Sequence, residues 1–506
     1  MTLQPYLFPS LKSEQNGKLT RTVFSHGGVC TQTARQALED QYALLLEETD
    51  KFNRKLVSYQ GNKGELVHGW IRYREGFSAQ LVEDLLKEFD VRPGETIFDP
   101  FSGSATTLLV AKALGIHAVG TEIMSVCHLA WQAKSLFQHY DLQELKKLLQ
   151  RLNEVEPGEA QVSFPHIAIT DGAFSETTEN DVMFFTTWFD QQEISQESKT
   201  LAKLILTSIL EEVSFTRKDG QYLRWDHRSP KIETRNRVRV AQGKKPITVD
   251  FGPLPSVKET LIHAFEIVIQ DIQKLQTLGL HESKQQLIKG NTLLVLPTLE
   301  AEQFASVITS PPYCNRYDYT RTYALELAYL GEGEKIGELR QSLLSCTVEN
   351  RSKVSALKAH YEMLGLGDRY QQILNTVKND LVFQEINTAL QTRWERGDMN
   401  NKGVLRMVRN YFLELTFVFA ELLRVCHPGA YVAFVNDNVR YGGEIIPVDT
   451  FTTSLAEQLG FEPVKIYVLP QRKGNSSQQM GKFGREALRK SITIWRKPDE
   501  QESSPR

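Results

Sequence analysis

The chain has little of what would place it in a membrane, a disulfide scaffold or a metal-stapled fold. No apolar run approaches the roughly 20 residues a membrane span needs, and the N-terminal MTLQPYLFPSLKSEQNGK has no apolar secretory core. A cytoplasmic protein without membrane attachment is expected. Only five cysteines occur in 506 residues. Cys30, Cys127, Cys314, Cys346 and Cys426 are odd in number and lack metal-type pairing, so reduced, mostly structural thiols and no bound metal are expected. An excess of one charge is missing too. The formal net charge is −3, so any nucleic-acid surface must be local, not global. What remains is 41% hydrophobic and 24% charged, the composition of an ordinary globular protein. The length allows two or three domains, or one catalytic domain with large insertions.

One stretch organises the rest, ETIFDPFSGSATTLLVAKALGIHAVGTEIM at 95–124. A short apolar run at 96–98 enters a turn, Asp99-Pro100-Phe101-Ser102-Gly103-Ser104. A helical pattern follows, with Leu108, Leu109, Ala111 and Leu114 mostly on one face. Gly115 stops it, and a second β-like run ends on Thr121-Glu122. Strand, glycine turn, helix, strand and acid together suit a ligand with a ribose: backbone N–H groups approach it and the acid accepts both hydroxyls. Here also something is missing. FSGSA lacks the last glycine of a dinucleotide fingerprint, and no Gly-Lys-Ser/Thr follows, which makes a P-loop a poor fit. Alone, the stretch reads equally as an ordinary α/β turn.

Along the chain, 33–54 reads as an amphipathic helix, and Ser78 caps a helix over 79–89. Helices are expected at 125–140, 142–152, 201–213 and 257–278. Between the last two lies the most basic stretch, with Arg217, Arg224, Arg228, Arg235, Arg237 and Arg239, and with Tyr222 and Trp225 interleaved. Strands are expected at 287–291 and 304–309. A long helix, 404–425, turns through Pro428-Gly429 into a strand at 430–435. A helix at 449–459 and strands at 464–469 and 491–495 close the chain, with a polar loop at 471–484 and a polar tail beyond 498.

The strand at 304–309 runs into Ser310-Pro311-Pro312-Tyr313. Two successive prolines cannot donate hydrogen bonds and stiffen the backbone, so the carbonyls beside the Tyr313 ring are held outward. That suits a planar amine-bearing ring, whose NH₂ donates to oxygens while the aromatic stacks on it. A proline-terminated strand with an aromatic lid is the plainer reading.

Together the two motifs resemble the amino-methyltransferases of DNA, which methylate cytosine N4 or adenine N6 from S-adenosyl-L-methionine. DPFSGSATT is similar to the family's DPFCGSGTT motif, with Ala105 replacing a glycine, and TSPPY to its (D/N/S)PP(Y/F) motif in the serine form. GWIRYREGFSAQLVEDLL resembles the segment that closes over the methionine end of the cofactor, and LLRVCHPGAYVAFV, NDN and SITIWRK the later strands. The resemblance implies an α/β, Rossmann-like class I methyltransferase fold, with a mixed, mostly parallel sheet and helical insertions. It implies a cofactor site at Phe77, Asp99, Phe101, Ser102, Gly103, Glu122, Ile123 and Asn291, and a base site at Ser310, Pro311, Pro312 and Tyr313. Residues 61–154, 286–330 and 401–497 would form the core, behind an N-terminal extension over 1–60. Residues 155–285 would be an insertion that recognises double-stranded DNA, 331–400 a helical insertion and 498–506 a tail. Arg217, Arg224, Arg228, Arg235, Arg237, Arg239 and Arg316 are the expected DNA contacts, with a merely solvated charged face as the other reading of the basic stretch. Serine at 310 favours cytosine N4, with adenine N6 as the alternative. A non-catalytic nucleic-acid-binding protein on the same scaffold, and a methyltransferase of RNA or protein, remain open. A restriction or defence nuclease is the implied partner. A cysteine nucleophile is not expected, since neither Cys314 nor Cys426 follows a proline.

Overall fold

The computed structural model describes residues 21–499 apart from 23, 25–27, 220–221, 249–251, 280–281, 471–482 and 485–487. Most of the polar loop at 471–484, nearly all of the tail and the Tyr222 side chain therefore lie outside the described residues. Short β-branched and aromatic runs supply the strands: β1 (Leu46–Glu48), β2 (Thr96–Asp99), β3 (His117–Glu122), β4 (Thr216–Asp219), β5 (Tyr222–Trp225), β6 (Gln285–Lys289), β7 (Phe304–Thr309), β8 (Cys426–Asp437), β9 (Val439–Tyr441), β10 (Glu444–Ile446), β11 (Glu462–Val468) and β12 (Lys490–Arg496). Eight form one sheet in the order β1-β11-β12-β8-β7-β2-β3-β6. Only β12 runs against its neighbours; the other five pairings are parallel. This is a Rossmann-like sheet, mixed and mostly parallel.

The central strands β2, β7 and β8 are largely buried on both faces, so they read as apolar runs without regular polar alternation. Ile97, Ile308, Ala433 and Ile492 face one core, under the helices Ala79–Glu88 and Thr106–Ala113. Phe98, Val307, Phe434 and Trp495 face the other, under Gly403–Val425 and Val448–Leu459. Phe434 stacks on Trp495 at 5.5 Å and Phe98 on Phe304 at 4.6 Å. Truncating either buried ring to alanine should cost about 3–5 kcal/mol. Ser78 Oγ accepts from Leu81 N–H and starts its helix as the sequence predicts. Ala105 holds the left-handed conformation that a glycine would adopt freely, φ 65°, just before the Thr106–Ala113 helix.

Two expectations need correction. The helix from Thr33 ends at Gln41, not Arg54. Its pattern continues, but Leu46–Glu48 pairs in parallel with Ile466–Val468, so sheet hydrogen bonds override local propensity. The Pro428-Gly429 pair does not separate helix from strand. β8 already starts at Cys426, and the pair lies inside it, where the β7–β8 register shifts.

Helices Glu176–Gln191, Gln196–Ile209 and Val257–Leu275 share one apolar core with Ser125–Lys134. The basic stretch folds as the β4–β5 hairpin followed by the helix Pro230–Ala241. What matters for chemistry is the carboxyl edge of the sheet. β2 pairs with β7 through Ile97↔Ser306 and Phe98↔Val307, and with β3 on its other side. Chain order reverses there, and such switch points are where α/β sheets open a crevice.

Candidate active site

The tips of β2, β3, β6 and β7 surround one cleft of about 730 Å³, a figure that includes space open to solvent. Buried oxygens tie the tips together. Asp99 Oδ1 accepts from Thr309 Oγ1 at 2.7 Å and from Phe101 N–H at 3.0 Å, and Oδ2 accepts from Thr107 Oγ1 at 2.7 Å. One carboxylate thus joins the glycine turn to the strand that carries the prolines. Burial pushes its pKa up to about 6 despite those three donors. Asp99 stands behind the cleft wall, not on it. Pro100 C=O accepts from Thr121 Oγ1 at 2.6 Å and from Thr292 Oγ1, which fastens β3 and the short helix after β6 to the same turn.

Phe101, Ser102, Gly103, Glu122, Ile123 and Asn291 line the cleft together, as does Phe77. Gly103 has φ 51°, and a Cβ there would lie 2.7 Å from the Tyr73 ring. Its N–H donates to Glu122 Oε2 at 2.8 Å. Glu122 Oε1 accepts from Ile123 and Met124 N–H at 2.8 and 2.9 Å. Burial still wins over these donors and raises the Glu122 pKa to about 7. Asn291 Oδ1 accepts from Leu293 N–H and caps a short helix.

Ser310 and Pro312 line the same cleft, and Pro311 between them is buried. Ser310 Oγ–H donates to Tyr313 Oη at 3.0 Å, which is how Tyr313 joins the site. Tyr313 Oη also accepts from Lys490 Nζ at 3.2 Å, and that ammonium lies 4.7 Å from the ring centroid. Burial works against the Lys490 charge, but Asp437 at 3.0 Å and Tyr313 hold its pKa above the usual lysine range.

Sequence reasoning passed over Lys490, and it passed over Glu75. Glu75 lines the cleft, accepts from Tyr323 Oη–H at 2.5 Å, and is raised in pKa by burial. The signal for Glu75 lay in REGF, within a segment already singled out; Lys490 had no local signal. Among the described residues Glu75 and Glu122 are the only charged side chains on the wall, and no lysine or arginine faces in. Two carboxylates, a glycine turn and the apolar Phe77, Phe101 and Ile123 fit a cationic sulfonium attached to a ribose and an adenine. Cys314 is buried and burial holds its thiol well above the ordinary value, so it is no thiolate nucleophile.

The predicted DNA contacts divide. Arg217 donates to Glu211 and Thr216 C=O, both at 2.7 Å, and pairs with Asp226 at 3.3 Å. Arg228 pairs with Asp226 at 2.7 Å and reaches Gly252 C=O. Burial opposes the Asp226 charge, yet these two arginines hold its pKa below the usual range. Both guanidiniums therefore brace the hairpin. Arg239 Nε–H donates to Lys245 C=O at 3.0 Å. Arg224, Arg235 and Arg237 are exposed. Arg316, at φ 67° just past the Ser310–Tyr313 turn, has a buried Nε without a hydrogen-bond partner among the described residues.

This cleft, set at the switch point of a sheet with one reversed strand, defines a Rossmann-like S-adenosylmethionine-dependent methyltransferase. The sequence profile of the DNA methylase family matches residues 10–131, which include the glycine turn and Glu122. The chain is 56% identical over 479 residues to the type II methyltransferase M.BsoBI of Geobacillus stearothermophilus, covering 94% of each chain. It is 37% identical to the type II methyltransferase M.AvaI of a Nostoc strain, covering 92% of this chain and 93% of the relative. M.MjaII of Methanocaldococcus jannaschii, another type II methyltransferase, is 44% identical over 84 residues, 16% of this chain. The chain belongs to the N6/N4 DNA methylase family, and S-adenosylmethionine is its methyl donor.

Proposed function

We propose that the protein is the modification methyltransferase of a type II restriction system and that its target is the N4 amine of an extruded cytosine. The observation that carries this reading is the Ser310–Tyr313 hydrogen bond, with Ser310 in the cleft that Glu122 and Gly103 also line. An aromatic amine is a poor nucleophile because its lone pair is delocalised into the ring. With its own proton committed to Tyr313, Ser310 Oγ presents lone pairs to the target NH₂, and the Pro311 C=O takes the second N–H. Those two bonds localise the amine lone pair. S-adenosylmethionine supplies the electrophilic methyl when bound. Glu122 accepts from the ribose hydroxyls, Ile123 and Asn291 meet the adenine, and Phe77, Phe101, Ser102 and Gly103 enclose the methionine end. Catalysis then rests on positioning and electrostatics, without a covalent enzyme–base intermediate. Serine is too weak a base to take the proton, which leaves to solvent. The target must leave the duplex, since its amine is otherwise engaged in pairing.

In this reading residues 155–285 contact double-stranded DNA, through the exposed Arg224, Arg235 and Arg237, and Arg316 frames the flipped nucleotide. A nuclease of matching specificity is the implied partner, as the name of the type II relatives supports. Mass spectrometry of nucleosides from plasmid methylated by the protein tests the base. N4-methylcytosine is expected; N6-methyladenine as sole product rejects the cytosine assignment. Donor binding without methyl transfer to any DNA would reject the enzymatic reading itself.

A further inference from the structure

A second concavity lies outside the cleft, between the helices Leu381–Glu395 and Gly403–Val425. It is an open groove of about 1930 Å³. One side is a neutral polar stripe, Gln384, Asn387, Thr388 and Gln391, spaced three and four apart so that all share one helix face. The other is a basic stripe, Lys402, Arg406 and Arg409, at the same spacing, and Lys378, at the end of the Gly367–Asn379 helix, lines the groove next to Gln384, which donates to the Lys378 C=O at 3.0 Å. All four cations are exposed. Among the described residues Lys378, Lys402, Arg406 and Arg409 form no ion pair, and Arg406 donates to Val348 C=O at 3.0 Å. A solvated helix face ordinarily mixes both signs. Here four cations meet one carboxylate, Glu395, in a chain whose net charge is −3.

The groove adjoins the cleft. Val348 lines the groove, and Ser342 to Leu344 line the cleft. Leu344 and Val348 are four residues apart, at most about 14 Å along the chain. The segment between them is fixed. Ser345 N–H and Oγ–H donate to Glu414 at 2.8 and 2.6 Å, and Lys353 pairs with Glu414 at 3.1 Å. Glu414 belongs to the same helix as Arg406 and Arg409, so the basic stripe is held in register with the cleft wall.

We infer that this groove is a second nucleic-acid surface, which seats the sugar-phosphate backbone of the DNA duplex flanking the target base. Lysine and arginine beside glutamine, asparagine and threonine amides and hydroxyls are the side chains that bind phosphate and sugar oxygens. They carry no base readout, so the groove holds and orients the duplex, and sequence is read elsewhere. The inference rests on the DNA methyltransferase reading above. It adds a contact region in 331–400 and at the start of the long helix, remote in sequence from the 217–245 stretch.

The test uses full-length protein carrying Lys378→Gln, Lys402→Gln and Arg409→Gln together; Arg406 is left in place because it supports Val348. Duplexes cut from a plasmid that the unaltered protein methylates serve as probe, with titrations over a range of salt. Affinity should fall roughly tenfold or more, and the slope of log K against log salt should flatten by about 0.9 for each phosphate that is no longer neutralised. S-adenosylmethionine affinity should be unchanged, which shows the cleft intact. Unchanged DNA affinity and slope in the triple variant overturn the groove assignment while leaving the enzyme reading standing. Failure of the unaltered protein to methylate or bind any DNA overturns both.

Discussion

The cleft and the outer basic surfaces carry opposite charge, and they are built differently. Inside, Glu75 and Glu122 are the only charged groups among the described residues of the wall, each half-buried and each raised in pKa by desolvation. Outside, the helix Pro230–Ala241 and the groove beside Gly403–Val425 present exposed arginine and lysine, with Ile232 alone buried on the former. A carboxylate held out of water suits a small cation bound tightly in fixed geometry. Exposed cations suit a polyanion bound by counterion release and screened by salt. In the proposed reading the contrast separates donor from substrate: a few carboxylate oxygens would hold one, many weak surface contacts the other.

The comparison can be broken at its sharpest point, the wall where the two meet. Ser310→Ala removes the acceptor aimed at the target amine and should lower turnover roughly 10²-fold or more while leaving donor affinity unchanged. Equal loss of donor affinity would put Ser310 in the donor site instead. Next come the interior arginines. Arg228→Ala leaves the buried Asp226 short of a partner and should destabilise the fold by about 2–4 kcal/mol, read by denaturant titration, with the salt slope of DNA binding unaltered. Arg235→Ala with Arg237→Ala should do the reverse, flattening the slope without loss of stability. If both variants behave alike, the division into bracing and contacting arginines is wrong.

Glu122 offers a test by pH. A carboxyl whose folded pKa, about 7, exceeds its unfolded value resists ionisation in the fold, so its contribution to stability falls as pH rises from the unfolded pKa through about 7. Accepting both ribose hydroxyls needs the ionised form. Donor affinity should therefore tighten as pH rises through about 7, and Glu122→Gln should weaken binding by about 1.5–3 kcal/mol and remove that dependence. Calorimetric titration at several pH values would show a surviving pH dependence if another group were responsible. The smallest effect concerns Ala105. Its left-handed conformation costs about 1 kcal/mol that glycine avoids, so Ala105→Gly should raise stability by roughly 0.5 kcal/mol after the entropy of the more flexible residue is counted.

Local chemistry announced the parts of this fold that the sequence made legible. The apolar run at 96–98, the Asp99–Gly103 turn, the Ser78 cap and the strand at 304–309 each carry their signal within a few residues. The parallel sheet follows from their alternation with helices. Leu46–Glu48 gave no such signal, because its strand exists only by pairing with Ile466–Val468. Lys490 reaches Tyr313 across 177 positions because β12 pairs with β8 in the register that sets Lys490 against Asp437. The basic stretch failed in another way. Its cations look alike in sequence, and only the buried Asp226 and Glu211 decide that Arg217 turns inward while Arg235 faces water.

A crystal structure of the protein with S-adenosylmethionine shows whether one cleft holds donor and target amine face to face. The ribose is expected on Glu122 and the sulfonium methyl turned toward Ser310 and Pro312. A donor seated in another cavity, or with its methyl directed away from that turn, would contradict it.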